Sequence, residues 1–347
     1  MKKNVVIFFE MLIVVLTTMS ATFAQTASSR FAVIGFYNTE NLFDTEDDPL
    51  TIDEEFLPNG VNQWTVERYQ VKLDHLAKVI ALIGQKQGGV VALGLSEIEN
   101  RRVMEDLVNT EPLRTLGYGV VHHDSPDRRG VDVGLIYRKN RFAILGQRAF
   151  RLYTADTSFR TRDQLLISGV LDHIDTLHIL VNHWPSKRGG EKRSMPARAA
   201  AAQLSRHIAD SLFQQNPMSK LVIMGDLNDN PTARSLTEFL RAKSKTHDLQ
   251  PGDLFNPMHK MYKDGIGSYA YRDNWDLIDM TIVSYGLMYP KSGTYRYSHA
   301  EVFRANFLLT PTGAFTGYPF RTYAGGTYQG GYSDHLPVYL ILTNEQK

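Results

Sequence analysis

LVIMGDLNDNP, residues Leu221 to Pro231, sets four apolar residues ahead of a glycine and a polar run. Leu221 to Met224 read as a short buried strand, and Gly225 lets the backbone approach closely where that strand ends. Asp226 and Asn228 follow at alternate positions, so in an extended chain both side chains leave on one face. One is an anionic oxygen ligand or proton acceptor, the other a neutral amide donor. That combination suits a phosphate ester beside a hard cation: the carboxylate binds or orients water, and the amide donates to a phosphoryl oxygen without adding negative charge. A strand followed by an Asx turn before Pro231 is the other reading, and the stretch alone does not separate the two.

At 347 residues the chain is long enough for a substantial core, and nothing in its composition points to disorder or a fibre. Lys2 and Lys3 precede an apolar run from Val5 to Val15, and small residues lead to Ala24. This pattern predicts a secretory signal peptide over residues 1–24, with Glu10 an awkward charge inside it, and hence a periplasmic or extracellular protein. The run is short for a stable membrane span and no second one follows, so no membrane insertion is expected after cleavage. With no cysteine in the chain, disulfides, thiolate zinc sites and a lipid-modified cysteine anchor are excluded, and any cation is held by oxygen and imidazole ligands. Net charge is +1, and losing Lys2, Lys3 and Glu10 with the leader brings it to zero. A uniformly basic nucleic-acid binder is not indicated.

Along the chain, Phe31 to Asn38 reads as an early buried strand, followed by an acidic, turn-rich stretch to Glu55 whose charges read as solvated. Trp64 to Gly84 has helical spacing, and Val90 to Leu95 is a strand with Glu97 just beyond its end. A helix is expected over Arg101 to Leu113, and strands at Tyr118 to His123 and Val131 to Tyr137 flank a turn holding Arg128 and Arg129. Further strands are predicted at Phe142 to Leu152, Gln164 to Leu171 and Leu177 to Val181. The basic loop Lys187 to Arg193 and an alanine-rich helix over Arg198 to Gln214 follow. Beyond the opening stretch come a helix near Ala233 to Ala242 and strands at Met280 to Val283 and Pro337 to Leu342. The aromatic, glycine-rich segment Tyr285 to Tyr332 between them is expected to be a substrate-facing insertion or to pack on a sheet edge. With no repeat or linker visible, residues 25–347 read as one domain.

Polar residues gather at the strand ends: Asn38, Glu40, Glu97, Asp132, His183, Asp226, Asn228, Asp279, Asp334 and His335. Their contexts FYNTEN, GLSEIEN, GVDVGLIY, VNHWPS, MGDLNDNP, LIDMTIVS and YSDHLPV closely resemble the endonuclease/exonuclease/phosphatase superfamily, over about Phe31 to Leu342. The resemblance implies an α/β (α+β) fold of the DNase I type, a four-layer sandwich. Two mixed, mainly antiparallel sheets pack face to face with helices outside, and the active site lies where the strand ends converge. Carried over by position, Glu97 matches the principal carboxylate metal ligand, with Asn38 beside it, Asp334 a carboxylate near the metal and Glu40 a second ligand. Asp226 matches the group that orients or deprotonates the attacking water, and Asn228 the phosphate-binding amide. His335 matches the histidine at the scissile phosphate with Asp279 as its partner, and His183 a second histidine with Asp132 as its partner. His122, His123 and His207 read as surface residues. Arg188, Lys192 and Arg193 are solvated charges or phosphate contacts, with Arg188 and Arg193 taken as the substrate-binding pair.

A phosphodiester repels hydroxide, so its hydrolysis needs a cation on the phosphoryl oxygens, a positioned water and proton transfer. Magnesium suits an all-oxygen donor set, and manganese or calcium can replace it. The expected function is therefore a secreted, monomeric, divalent-metal-dependent phosphodiester hydrolase acting on nucleic acid. An inositol-phosphate or sphingomyelinase-like phosphohydrolase is the alternative, followed by a catalytically inactive binding module. A nuclease makes many contacts along a phosphate backbone and loses affinity steeply with salt.

Overall fold

The computed structural model describes residues 29–345, so the signal peptide expected over residues 1–24 lies outside the described residues. In chain order the strands of the first half are β1 (Ser29–Leu42), β2 (Val90–Ile98), β3 (Tyr118–His122), β4 (Asp132–Arg138), β5 (Phe142–Phe150), β6 (Gln164–Leu171), β7 (Asp175–His183) and β8 (Lys220–Asp226). Those of the second half are β9 (Ala242–Lys243), β10 (Leu254–Phe255), β11 (Tyr269–Tyr271), β12 (Asn274–Asp276), β13 (Asp279–Ser284), β14 (Arg296–Val302), β15 (Tyr323–Ala324), β16 (Thr327–Tyr328) and β17 (Val338–Glu345). Helices are α1 (Val66–Leu82), α2 (Arg101–Asn109), α3 (Glu191–Gln215), α4 (Met258–Lys263) and α5 (Tyr285–Met288).

The strands form two large sheets, ordered β14-β17-β1-β2-β4-β3 and β5-β6-β7-β8-β13-β10-β9. Pairing is parallel for β1 with β2, β7 with β8 and β9 with β10, and antiparallel elsewhere, giving the mixed, mainly antiparallel sandwich that the sequence implies. Alternation in β1 explains the layering. Ala32, Ile34 and Phe36 point into the core shared with the second sheet, while Val33 and Tyr37 point outward to the cluster made with α1 and α2. On the second sheet Ala201, Ala202, Ile208 and Ala209 of α3 join the core. Leu221 to Met224 are fully buried, as a strand covered on both faces must be.

Two glycines allow close approaches, Gly94 between the sheets and Gly225 between neighbouring strands of the second sheet. A Cβ on Gly94 would meet Met224 Sδ at 2.8 Å and Val181 Cγ1 at 3.0 Å across the sheets. One on Gly225 would meet the Asn182 carbonyl oxygen at 2.2 Å in the neighbouring parallel strand. Both are places where only glycine fits without moving backbone or core.

Several expectations change. Strand β1 does not stop at Asn38 but runs on to Leu42, with a register break against β2 between Asn38 and Leu42. Helix α3 begins at Glu191, so Lys192 and Arg193 lie in its first turn rather than in a loop. The helix expected near Ala233 to Ala242 is one wide turn, Ser235–Phe239. Residues 285–332 are not a free insertion: α5 opens the segment, and β14 adds an edge to the first sheet by pairing with β17. Tyr295 is fully buried because its ring fills the space beside that edge. Nor is the acidic stretch after Asn41 wholly solvated: Asp44 and Asp53 are buried, with the Asp44 N–H donating to Glu99 Oε2 at 2.6 Å. Among the described residues no helix is long and apolar enough to cross a membrane.

Gly225→Ala should destabilise the fold by about 1–3 kcal/mol, the usual cost of overpacking a dense core. A urea midpoint unchanged from the parent would show that β7 and β8 can separate to admit the methyl group.

Candidate active site

The strand ends of both sheets meet at one edge of the sandwich. β1 and β2 bring Asn38 and Glu97, β7 and β8 bring His183 and Asp226, and β13 brings Asp279. The register places Asp226 opposite both His183 and Asp279, so three site residues stand side by side on adjacent strands. His335 and Asp334 arrive on the turn leading into β17.

Irregular backbone aims the first sheet's contribution. Glu97 sits at a break in the pairing of β2 with β4, with φ +59°, and Glu40 and Asn41 sit in the β1 break with φ +54° and +57°. Such bulges turn a side chain out of its alternating position, and non-glycine residues with positive φ gather at functional sites. Thr39 Oγ1 donates to the carbonyls of Ser96 and Glu97, and the Asn41 N–H holds Glu97 Oε2 at 3.0 Å.

Asn38 bridges two carboxylates. Its amide nitrogen donates to Asp226 Oδ2 at 3.1 Å and reaches Glu97 Oε1 at 3.4 Å, while its oxygen accepts the Glu40 N–H at 2.9 Å. Asn38, expected as a metal ligand, is thus hydrogen-bonded through both its amide nitrogen and its oxygen and lies between the two carboxylates. Glu40, another expected ligand, has one oxygen engaged. Its Oε2 accepts the Thr322 N–H at 2.6 Å and lies 3.7 Å from the buried Lys72 ammonium. Burial and Asp334 push its carboxyl up to about 7.

Asp279 and His335 form the expected pair: His335 Nδ1 lies 2.7 Å from Asp279 Oδ2, which also accepts from Ser268 Oγ at 2.6 Å. His335 Nε2 faces Asp226 Oδ2 at 3.9 Å and Asp334 Oδ1 at 3.8 Å. Burial alone would lower the imidazole's pKa, but Asp279, Asp334 and Asp226 overcome it and hold His335 well above its ordinary value. Burial pushes the Asp226 carboxyl up to about 7; His335 opposes this, while Asp279 and Glu97 reinforce it. Its Oδ1 accepts the Asn228 N–H at 2.9 Å, and Asn228, at φ +52°, donates its side-chain amide to the Trp184 carbonyl.

His183 lacks the expected carboxylate partner. Its Nε2 is 3.7 Å from Asp226 Oδ2 and 4.0 Å from Glu97 Oε1, and its buried Nδ1 has no hydrogen-bond partner. Burial, with Arg162 and Arg129 nearby, holds its pKa well below the ordinary value. Asp132 instead meets His122, with Oδ2 3.1 Å from Nε2, and takes the Ser125 N–H at 2.9 Å. The reason is register: Asp132 pairs with Ile98 and β4 with β3, which delivers His122 to the carboxylate from the neighbouring strand. His122 is accordingly buried, not a surface residue, whereas His207 is exposed.

Residues that the sequence reading missed hold this arrangement. Arg162 is buried, donates to the carbonyls of His183 and Trp184, and pairs with Asp127 at 2.9 Å. Tyr269 lies against the His335 ring, and Arg321 is 3.9 Å from Asp334. None carries a local signal, since each partner is far away in the chain. Arg188 and Arg193 are exposed and form no ion pair among the described residues.

The donor set fits a divalent cation. Carboxylates of Glu97, Asp226, Asp279 and Asp334 gather around His183 and His335, and ligand atoms of Asp226, Asp279 and His335 lie within 4.8 Å of one another. An excess of buried negative charge is relieved by a bound cation.

His335→Ala and Asp279→Asn should each lower turnover of a simple diester by about 10²–10⁴-fold, with the double variant little worse than the more damaging single, because the two act as one unit. His183→Ala and Asp132→Asn share no contact, and their effects should multiply. A multiplicative outcome for the first pair, or a saturating one for the second, would contradict the contacts described.

The profile of the Endonuclease/Exonuclease/phosphatase family matches residues 33–344. A search of curated proteins finds no match. Among solved structures, humanized D. rerio TDP2 superposes with a TM-score of 0.54 at 13% identity, covering 90% of this chain and 98% of that one. D. rerio TDP2 complexed with a single-strand DNA product gives 0.54 at 12%, covering 90% and 98%. A Bacteroides vulgatus endonuclease/exonuclease/phosphatase gives 0.54 at 15%, covering 91% and 99%. These likenesses are of fold, whereas the profile spans nearly the whole described sandwich and the strand-end residues lie within it. The chain belongs to the endonuclease/exonuclease/phosphatase family.

Proposed function

We propose that this protein is a divalent-metal-dependent phosphodiester hydrolase, and that nucleic acid is its substrate. The observation that carries the reaction class is the convergence of Glu97, Asp226, Asn228, Asp279 and His335 at one sandwich edge, with the pKa of His335 raised by its carboxylate neighbours. Glu97 and Asp334 would hold the cation, magnesium by the hardness of their oxygens, and it would neutralise charge on the phosphoryl oxygens. The chain's own groups do the rest. Asp226 orients the attacking water and accepts its proton, while the His335 imidazolium and the remaining Asn228 N–H face the charge that builds on the phosphate. Asp279, fixed by Ser268, keeps His335 oriented. His183 lies between Glu97 and Asp226, where it donates to a phosphoryl oxygen.

Nucleic acid is supported by the exposed cations Arg188, Lys192 and Arg193 after His183, and by the single-strand DNA product in the D. rerio TDP2 structure. The leader pattern of residues 1–24 supports an exported enzyme.

Purified mature protein assayed with magnesium, manganese or calcium should hydrolyse bis-p-nitrophenyl phosphate, DNA and RNA in preference to inositol polyphosphates and sphingomyelin, and a chelator should abolish the activity. Faster turnover of either of the last two would replace the nuclease reading. Glu97→Gln should keep the fold and raise the magnesium concentration for half-maximal rate by at least about tenfold, since it removes a formal charge from a hard-cation ligand. Arg188→Ala with Arg193→Ala should flatten the salt dependence of DNA binding by about two units of slope. An unaltered slope would remove these arginines from the phosphate path.

A further inference from the structure

A cavity of about 250 Å³ opens beside the catalytic centre and takes no part in the chemistry above. Asn41, one of its walls, is the residue whose N–H holds Glu97. Glu40, Glu55, Asn62, Phe56 and Tyr323 line the rest, over Trp64. The walls are preformed. Phe56 stacks on Phe43 with centroids 4.3 Å apart, the Trp64 indole N–H donates to the Phe43 carbonyl at 2.9 Å, and the Tyr323 hydroxyl donates to the Asn62 carbonyl at 2.9 Å.

Lys72 and Arg68, the bases of its lining elements, are engaged elsewhere. Lys72 is buried on Thr322 Oγ1 and the Tyr332 carbonyl, and Arg68 donates to the carbonyls of Asn62 and Gln63 while lying over the Tyr328 ring. What faces inward is aromatic surface, amide groups and carboxylate oxygen. Because Glu40 Oε2 takes the Thr322 N–H, its Oε1 is left as an acceptor. That lining matches a flat group with N–H donors on its edge, the chemistry of an unstacked nucleobase.

The surface charge differs on the two flanks of the site. Residues 44–66, next to the cavity on the first-sheet side, expose Glu46, Asp47, Glu54 and Glu55, of which, among the described residues, only Glu46 is paired, to Arg102, and contain no lysine or arginine. On the second-sheet side, after His183, lie the exposed Arg188, Lys192 and Arg193, while Lys187 is paired with Glu191 and Asp229. A phosphate chain is attracted along the second flank and repelled along the first.

We propose that the cavity holds the base of the nucleotide at a strand terminus, so that the strand lies over the basic flank, no further phosphate enters the acidic one, and cleavage is end-directed. This rests on the nuclease reading above. Each turnover forms one P–O bond from water, breaks one P–O ester bond and passes the water's proton to the departing oxygen.

The test uses one single-stranded oligodeoxynucleotide sequence in three forms: linear with hydroxyl ends, linear with both ends phosphorylated, and closed into a circle. Hydrolysis of bis-p-nitrophenyl phosphate is measured in parallel. The hydroxyl-ended strand should be degraded stepwise, at least about tenfold faster than the circle, and terminal phosphates should lower kcat/KM about tenfold. Asp47→Lys with Glu54→Lys should restore the phosphorylated strand, and Tyr323→Leu should raise KM for the strand more than for the small diester. Equal rates on circle and linear strand, or indifference to terminal phosphate, in an enzyme that still hydrolyses the small diester overturn the proposal. Hydrolysis of the small diester with no oligonucleotide degraded overturns the nuclease reading and this one with it. Loss of both activities in the parent protein overturns the phosphodiesterase reading itself.

Discussion

Crowding of like charge away from water is the constraint on which this molecule is built. Glu97, Asp226 and Asp279 end at one sandwich edge, and Asp226 and Asp279 are almost wholly buried. An uncompensated buried carboxylate costs several kcal/mol, so each needs a partner or a cation. The protein supplies part of the answer itself. Asn38 separates Glu97 from Asp226, Ser268 and His335 take up Asp279, and the Asn228 backbone satisfies one oxygen of Asp226. The remaining charge imbalance gives the site its use, because it favours both a divalent cation and a protonated His335.

The same pressure separates the roles of the two histidines. His335 lies among carboxylates that raise its pKa, while burial and the nearby Arg162 and Arg129 lower that of His183. Two chemically identical side chains are thereby shifted in opposite directions by their neighbours. Asp132 has no part in this. It serves His122 one strand away and closes the Asp124 to Gly130 turn through Ser125.

The scaffold follows from these demands. Glycine at 94 brings the layers close enough for residues of both sheets to meet, glycine at 225 lets β7 and β8 lie close together, and the breaks at Thr39 to Asn41 and at Glu97 turn the first sheet's carboxylate toward the second. Buried Arg162 then locks the end of β7 from behind.

Much of this was legible in the chain. The apolar runs of β1 and of Leu221 to Met224 mark strands covered on both faces, because side-chain direction in a strand is a local matter. Polar residues at strand ends, in contexts such as MGDLNDNP and YSDHLPV, marked the site and the sandwich. Three things were decided only in space. Register determined that Asp132 meets His122 rather than His183, since a carboxylate next to the right strand in sequence can face a different neighbour once the strands are paired. Bulges determined that Glu40 turns to Lys72 and Thr322 and that Asn38 bridges carboxylates, because a local backbone break leaves no mark in residue periodicity. Burial by distant segments determined the opposite pKa shifts of His183 and His335, since a pKa depends on what surrounds the ring, and those groups come from strands up to about 150 residues away along the chain.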